Sequence, residues 1–99
     1  MIMEPATAIS NDTQQQQFQA RVNGELAYLE YRWHNNLLAL MHTFVPASLE
    51  GQGLASALAK YALDYARENN LKVLVYCPFV AAYLKRHPEY NILVEKPGV

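Results

Sequence analysis

The chain has 99 residues, of which 52% are hydrophobic and 17% charged, and its formal net charge at pH 7 is −1. This length predicts one small domain with a single core and room for one site. The near-neutral charge predicts no nucleic-acid partner and no attraction to an anionic membrane surface.

The N-terminal residues, 1–10, show neither helical nor strand periodicity. We therefore predict a flexible tail there and one domain over residues 11–99. The sequence has no signal-peptide pattern and no apolar run near the ~20 residues of a membrane span. Its only cysteine, Cys77, excludes an internal disulfide, so we expect a soluble protein of the reducing cytoplasm.

The first half of the domain has the pattern of antiparallel strands. Residues 17–23 alternate apolar and polar side chains, which predicts a half-buried strand. Asn23-Gly24 is a strong hairpin turn, and residues 25–33 and 37–45 are two further strand-like runs. Together they predict an antiparallel meander.

A helix follows the meander. It begins at Leu54, carries an apolar stripe at helical spacing, and is closed by Asn69-Asn70. The stripe consists of Leu54, Ala55, Leu58, Ala59, Ala62, Tyr65 and Ala66. This spacing predicts that the helix packs on the sheet along its length.

The remaining elements complete a β-α-β unit. Residues 72–77 are almost continuously apolar, which predicts a strand covered on both faces and, after the intervening helix, a right-handed crossover to a parallel neighbour. Pro78 is expected to begin a short helix that ends near Arg86. Residues 90–94 are predicted to form a last short strand. The fold class is therefore α+β with a mixed sheet.

The turn between the third strand and the first helix has the composition of a phosphate-binding loop. Gly51 and Gly53 flank Gln52 and allow the backbone to approach a ligand closely. The first turn of the next helix adds unpaired N–H groups and the positive end of the helix dipole. Two glycines also form ordinary tight turns, so the pattern alone leaves both interpretations open.

Four segments together resemble the GNAT superfamily of acetyl-CoA-dependent N-acetyltransferases, and its minimal single-domain members in particular. The similarity extends over residues 11–94. The segments are His42-Thr43-Phe44-Val45-Pro46, the run from Leu49 to Ser56, Cys77-Pro78-Phe79 with Tyr83, and His87-Pro88-Glu89-Tyr90.

This resemblance implies that acetyl-CoA is the co-substrate and that it lies between splayed parallel strands. The backbone of Phe44 and Val45 would pair with the pantetheine arm, although both side chains also suit a core. The pyrophosphate would be bound by the backbone N–H groups of Gly51, Gln52, Gly53, Leu54, Ala55 and Ser56. No metal is implied.

Two departures from the superfamily pattern concern the site. Glu50 stands where arginine or glutamine is usual, although the minimal members commonly have glutamate there. The chain also lacks the helical pair that larger members place between their first two strands. We therefore expect an acceptor site that is open, or completed by another subunit or by the substrate.

The resemblance also indicates three candidate catalytic residues. His42, directly, or Glu50, through water, would take the proton of the amine, although a lone histidine at a strand end is often structural. Tyr83 would protonate the departing CoA thiolate or else pack in the core. Cys77 would line the thioester pocket or accept the acetyl group, with direct transfer preferred. Arg86 is expected to be solvated rather than to bind a phosphate.

These observations predict an N-acetyltransferase that acts on a primary amine of an unidentified small molecule or protein. The alternative is a non-catalytic acyl-CoA-binding or protein-interaction module. A dinucleotide-binding βαβ protein is disfavoured, because the glycine pattern and the acidic residue of that fold are missing. The sequence has no HExxH, CxxC, GxSxG or Walker motif and no convincing set of metal ligands.

Overall fold

A computed structural model describes residues 8–95 of the chain. Its strands are β1 (Ile9–Asp12), β2 (Gln17–Val22), β3 (Glu25–His34), β4 (Leu37–Phe44) and β5 (Val73–Val75). Its helices are α1 (Leu54–Glu68), α2 (Pro78–Arg86) and two 3-10 helices, Ala47–Leu49 and Pro88–Leu93.

The five strands form one mixed sheet in the order β1-β2-β3-β4-β5. Neighbours are antiparallel except β4 and β5, which are parallel. The α+β class, the meander and the parallel pair predicted from the sequence are therefore confirmed. Asn23 and Gly24 have φ angles of 53° and 80°, the left-handed conformations that a tight hairpin turn requires.

The core lies between one face of the sheet and both α-helices. Side chains alternate along a strand, so only every second residue faces the helices. In β3, Ala27, Leu29 and Tyr31 are buried in the same cluster as the helical residues Leu58 and Val80. All described helices contribute to this cluster, and we call the opposite side, which carries Tyr28, Glu30 and Arg32 in β3, the helix-free face.

Helix α1 supplies much of the core, as its apolar stripe predicts. Leu58, Ala59, Ala62 and Ala66 are fully buried, and Leu63, which the predicted stripe omitted, is buried with them. Asn70 ends the helix with a φ angle of 57°, so the predicted left-handed cap is confirmed.

One extra residue in β4 changes how that strand faces its neighbours. Leu40 pairs with Tyr31 and His42 pairs with Glu30, so Met41 has no partner on β3 and forms a β-bulge. Because side chains and backbone groups alternate along a strand, the extra residue inverts the alternation beyond it.

The parallel pair separates just after this bulge. β4 and β5 are paired over Leu38–Leu40, and the Leu40 carbonyl then accepts hydrogen bonds from the N–H groups of Tyr76 (2.9 Å) and Cys77 (3.0 Å). The chain after β5 turns into α2, whereas β4 continues. Residues 41–44 therefore have no described strand beside them on this side, and a gap opens between the two strands.

The structure differs from the expectation at the N-terminal end of the domain. Ile9 and Ser10, which the predicted tail included, belong to β1 (Ile9–Asp12), a short and mostly polar strand that has too few residues to show a period. Residues 1–7 of that predicted tail, and residues 96–99 of the predicted domain, lie outside the described part of the chain.

The predicted strand over residues 90–94 is instead mostly a 3-10 helix that begins at Pro88. Tyr90 is held toward α1 by a hydrogen bond, and only Val94 forms a single bridge to Val73. The strand predicted over residues 72–77 is shorter than expected and covers only Val73–Val75. Tyr76, beyond it, is 54% exposed, and Cys77 already occupies the N-cap position of α2.

No helix in the range 8–95 combines the length and the hydropathy that a membrane span requires.

A carboxylate on α1 connects the C-terminal 3-10 helix to the rest of the fold. The Tyr90 hydroxyl donates to Asp64 Oδ1 at 2.7 Å, and Lys60 and Arg67 donate to the same carboxylate at 2.7 and 2.8 Å. Partial burial opposes the ionisation of Asp64, but the hydrogen bonds from Lys60 and Tyr90 outweigh it. The pKa of Asp64 is therefore below its ordinary value of 3.8.

We predict that Tyr90→Phe lowers the free energy of unfolding by about 1–2 kcal/mol, because it removes one hydrogen bond to a charged group. Tyr61→Phe is the matched control, since the Tyr61 hydroxyl makes no hydrogen bond to another described residue. Urea unfolding at neutral pH measures both variants. Equal loss in the two would mean that the Tyr90 hydroxyl contributes nothing specific.

The pH dependence of this contribution has a definite sign. Because the pKa of Asp64 is lower in the folded chain than the ordinary value of 3.8, its contribution is complete at pH values well above 3.8 and is lost as the pH falls through the folded pKa. The stability difference between the parent chain and Asp64→Asn should therefore shrink in acid. A difference that stays constant down to pH 2 would contradict this account.

Candidate functional site

An open cleft of about 250 Å³ lies where the glycine turn meets the start of α1. Its walls come from the residue after β4, the first 3-10 helix, the glycine turn, the first turn of α1 and one residue of α2. They are Val45, Leu49, Glu50, Gly51, Gly53, Leu54, Ala55, Ser56 and Phe79. Most of the residues predicted to bind the cofactor therefore line this cleft.

The glycine turn beside this cleft has backbone N–H groups without partners. Gly51 and Gly53 have φ angles of 84° and 78°, and Gly53 is the N-cap of α1. The first helical hydrogen bond runs from Ala57 N–H to the Gly53 carbonyl at 3.0 Å. The N–H groups of residues 51–56 make no hydrogen bond to any other described residue, so they are available to an anion.

For an anion, the cleft has one favourable and one unfavourable electrostatic feature. The first turn of α1 contains no acidic residue, so nothing there opposes the positive end of the helix dipole. Glu50, in contrast, is one of the lining residues. Its carboxylate is exposed, and solvent screens its charge.

The gap between β4 and β5 lies next to the cleft. Leu38 and Leu40 bond to the β5 side, so the bulge turns the backbone groups of Thr43 and Val45 toward the gap. The same alternation directs the backbone of Phe44 toward β3, where it pairs with Tyr28. The backbone groups of Val45 therefore face the gap, whereas those of Phe44 face β3.

Cys77 lies at the buried side of this gap. Its thiol is 1% exposed, and its sulfur is 3.3 Å from the Thr43 hydroxyl. Cys77 is also the N-cap of α2, although its side chain makes no capping hydrogen bond. The bulge produces the contact, because it turns Thr43 toward the helices.

His42 lies on the helix-free face instead. Its Nδ1 is 3.0 Å from Glu30 Oε1, and its side chain is 52% exposed. The ring packs edge-on against Tyr28, with 5.8 Å between the ring centroids, and Tyr28 also contacts Phe44. Arg32 donates to the other oxygen of Glu30 at 2.5 Å.

Tyr83 is buried where α2 meets α1. Its ring is 5% exposed and stacks on His87 with centroids 4.1 Å apart. Burial raises the pKa of Tyr83 above its usual 10.0, the charge of Lys60 lowers it, and that of Asp64 raises it. The phenol therefore stays protonated at neutral pH.

The structure does not bring the three candidate catalytic side chains into mutual contact. Cys77 contacts Thr43 beneath the sheet, His42 contacts Glu30 above it, and Tyr83 packs between the helices. None of the three lines the cleft. Of the cofactor residues, Phe44 and Gln52 also lie outside its lining.

Two residues near the site, Phe79 and Glu30, were not predicted from the sequence. Phe79 lines the cleft from α2, and its place in the Cys77-Pro78-Phe79 segment was a usable signal. Glu30 is on another strand from His42, so only the register of β3 against β4 reveals the pair.

A larger cavity of about 550 Å³ lies on the other side of α2. It is lined by Val75, Ala81, Leu84, Lys85, Pro88, Asn91 and Val94. The smaller cleft is the better candidate site, because the unpaired N–H groups lie there. No group of three or more potential metal ligands is found within residues 8–95.

The chain belongs to the GCN5-related N-acetyltransferase family, whose model matches residues 17–93. The mixed sheet with a parallel pair, and the glycine turn before α1, agree with this assignment. Proteins of this family generally use acetyl-CoA and an acceptor.

Three proteins to which this chain is similar are the following. Protein NATD1 of Mus musculus is 37% identical over 83 residues, which are 81% of this chain and 76% of that protein. Protein NATD1 of Xenopus tropicalis is 35% identical over 87% of this chain and 84% of its own length. The solution structure of a GCN5-like protein from Staphylococcus aureus matches with a TM-score of 0.70 and 30% identity, over 93% of this chain and 91% of that one.

Proposed function

We propose that this protein binds acetyl-CoA and transfers its acetyl group to a primary amine. The observation that carries the proposal is the cleft at the glycine turn, where six consecutive N–H groups, those of residues 51–56, lack partners beside a gap in the sheet. The pyrophosphate would accept hydrogen bonds from this turn, and the pantetheine arm would pair with the β4 backbone at Val45.

The transfer needs an uncharged amine, and a lysine-type amine with a pKa of about 10.4 is mostly protonated at neutral pH. His42 would take this proton, and the amine nitrogen would then attack the carbonyl carbon of the thioester. A C–N bond forms, the C–S bond breaks, and its electron pair leaves with the sulfur. The thiolate gains a proton and the amide nitrogen loses one, so the net products are the amide, CoA and one proton.

Tyr83 and Cys77 have supporting roles in this proposal. Burial keeps the phenol of Tyr83 protonated, so it has a proton that it would give to the departing thiolate. Cys77 would line the thioester end of the gap, and its burial with Thr43 favours direct transfer over an acetyl-cysteine intermediate.

The short link between the first two strands bears on the acceptor. Only residues 13–16 connect β1 to β2, so no helical pair covers the site there. This supports an open acceptor site. It also supports the alternative of a non-catalytic acyl-CoA-binding module, which would show cofactor binding without turnover.

We predict that CoA raises the melting temperature in a saturable way, because a ligand that binds only the folded state stabilises it. Gly53→Ala should reduce this shift, since its Cβ would project into the phosphate side of the cleft. Gly24→Ala is the matched control. Both glycines have φ near 80°, and an added Cβ would meet no atom within 4 Å at either position.

Both alanine variants should lose a similar amount of intrinsic stability, about 1–2 kcal/mol, because both place a side chain in the left-handed region. Only Gly53→Ala should also lose the CoA shift, which differential scanning fluorimetry measures. An equal CoA shift in the two variants would locate the phosphate elsewhere. No shift of the parent chain at millimolar CoA would overturn the cofactor proposal.

Tyr83→Phe should lower kcat about tenfold or more while the affinity for CoA stays unchanged, because the hydroxyl acts on the leaving thiolate and not on binding. Steady-state kinetics with a screened amine acceptor measure the effect, with Tyr61→Phe as the control. Parent-like turnover in Tyr83→Phe would leave Tyr83 a packing residue only.

For Cys77, direct transfer predicts that acetyl-CoA alone leaves no acetyl group on the protein. Intact mass and the mass of the Cys77 peptide measure this. Cys77→Ala should then retain turnover, with a modest loss of stability from the small cavity it creates. A stoichiometric adduct on Cys77 that an amine discharges would establish an acetyl-cysteine intermediate instead.

A further inference from the structure

We propose that Glu30 is a positioning residue that fixes the tautomer and orientation of His42, so that His42 acts as the base from the helix-free face of the sheet. This inference rests on the proposed acetyl transfer. It adds Glu30, on a different strand from His42, to that proposal. It also assigns the helix-free face as the side from which the amine reaches the thioester.

His42 and Glu30 lie within contact distance of each other. His42 Nδ1 and Glu30 Oε1 are 3.0 Å apart, which is an ion-pair contact, and at this distance a carboxylate can accept the Nδ1 proton once the N–H is aligned with it. The Glu30 side chain is 20% exposed, against 52% for His42. The carboxylate is therefore the more enclosed partner and the imidazole the more accessible one, as a base that meets a substrate requires.

A second contact keeps the carboxylate in place. Arg32 donates from Nη2 to Glu30 Oε2 at 2.5 Å and from Nη1 to the backbone carbonyl of Tyr31 at 2.8 Å. One oxygen of Glu30 is thus bound to Arg32, and the other faces His42. The two bonds of Arg32 restrict the rotamer of the carboxylate, which in turn restricts the imidazole.

The register of the sheet produces this arrangement. His42 is paired with Glu30 only because Met41 is the extra residue of the bulge. In an uninterrupted register Met41 would face Glu30, and His42 would face Leu29. The bulge therefore brings the carboxylate and the imidazole to directly opposite positions on one face.

Aromatic packing restricts the imidazole further. Tyr28 lies edge-on to the His42 ring at 5.8 Å and contacts Phe44 at 5.6 Å. Phe44 therefore packs on the same tyrosine that packs on His42. Phe44 is 48% exposed, which leaves an accessible apolar surface beside His42 for the body of an amine acceptor.

The chemical consequence concerns the two ring nitrogens. When Glu30 accepts the Nδ1 proton, the neutral imidazole carries its lone pair on Nε2. Nε2 makes no hydrogen bond to another described residue. It can take one proton from the incoming ammonium group, which leaves the amine lone pair free to attack the thioester carbonyl. The imidazolium then releases that proton to solvent.

Nuclear magnetic resonance tests the positioning without any substrate. Long-range ¹H–¹⁵N spectra of the imidazole rings distinguish the two tautomers, and His42→Gln identifies which of the 3 histidine signals belongs to His42. Recorded with the imidazoles neutral, the parent chain should show the Nδ1–H tautomer of His42. Glu30→Gln should shift the signal toward the Nε2–H tautomer, because an amide can donate as well as accept.

Kinetics test the consequence for transfer. Glu30→Gln should lower kcat about 10- to 100-fold with the KM for acetyl-CoA unchanged, and Glu30→Gln combined with His42→Gln should lose no more than His42→Gln alone. Glu68→Gln is the control, since Glu68 is an exposed carboxylate on α1 without a hydrogen bond to another described residue. Circular dichroism and the melting temperature show that each variant is folded.

The outcomes separate this inference from the proposed function. Acetyl transfer with parent-like kcat in Glu30→Gln overturns the inference and leaves the proposed function standing, and so does an Nε2–H tautomer in the parent chain. A CoA-binding chain that acetylates no amine overturns the proposed function and removes the role of His42 as a base. The Nδ1–H tautomer together with the loss of kcat supports the inference.

Discussion

The extra residue in β4 is the constraint on which the site depends. A sheet forces side chains and backbone groups to alternate, so one inserted residue reverses every later assignment along the strand. Beyond Met41, Thr43 turns inward to Cys77 and His42 turns outward to Glu30. The same step orients the β4 backbone at Val45 toward the gap, so one irregularity arranges the environments on both faces.

The rest of the fold holds this irregularity in place. Helix α1 buries its apolar stripe on the sheet, and its N-terminus therefore lies at a fixed position beside the end of β4. Gly51 and Gly53 adopt left-handed conformations in the connection, which other residues would adopt only with strain. Below the sheet, the carboxylate of Asp64 connects α1 to the C-terminal 3-10 helix.

Sequence patterns predicted the elements well where a pattern follows directly from local chemistry. The period of α1, the Asn23-Gly24 turn and the proline at the start of α2 each predicted what the structure shows. The glycine cleft was predictable for the same reason. The bulge was not, because no local preference requires an extra residue at Met41. Glu30 was therefore not predicted. The 3-10 helix that begins at Pro88 was predicted as a strand, because its residues are as apolar as those of a short strand.

The separation of β4 and β5 has a consequence for the lifetime of the protein. The two strands share only the pairings of Leu38, Ala39 and Leu40 before they diverge, so the seam between β5 and the other four strands is short. A bound cofactor that bridges this seam would supply the missing cross-strand contacts. Resistance to proteolysis would then increase with the fraction of the protein that has a cofactor bound.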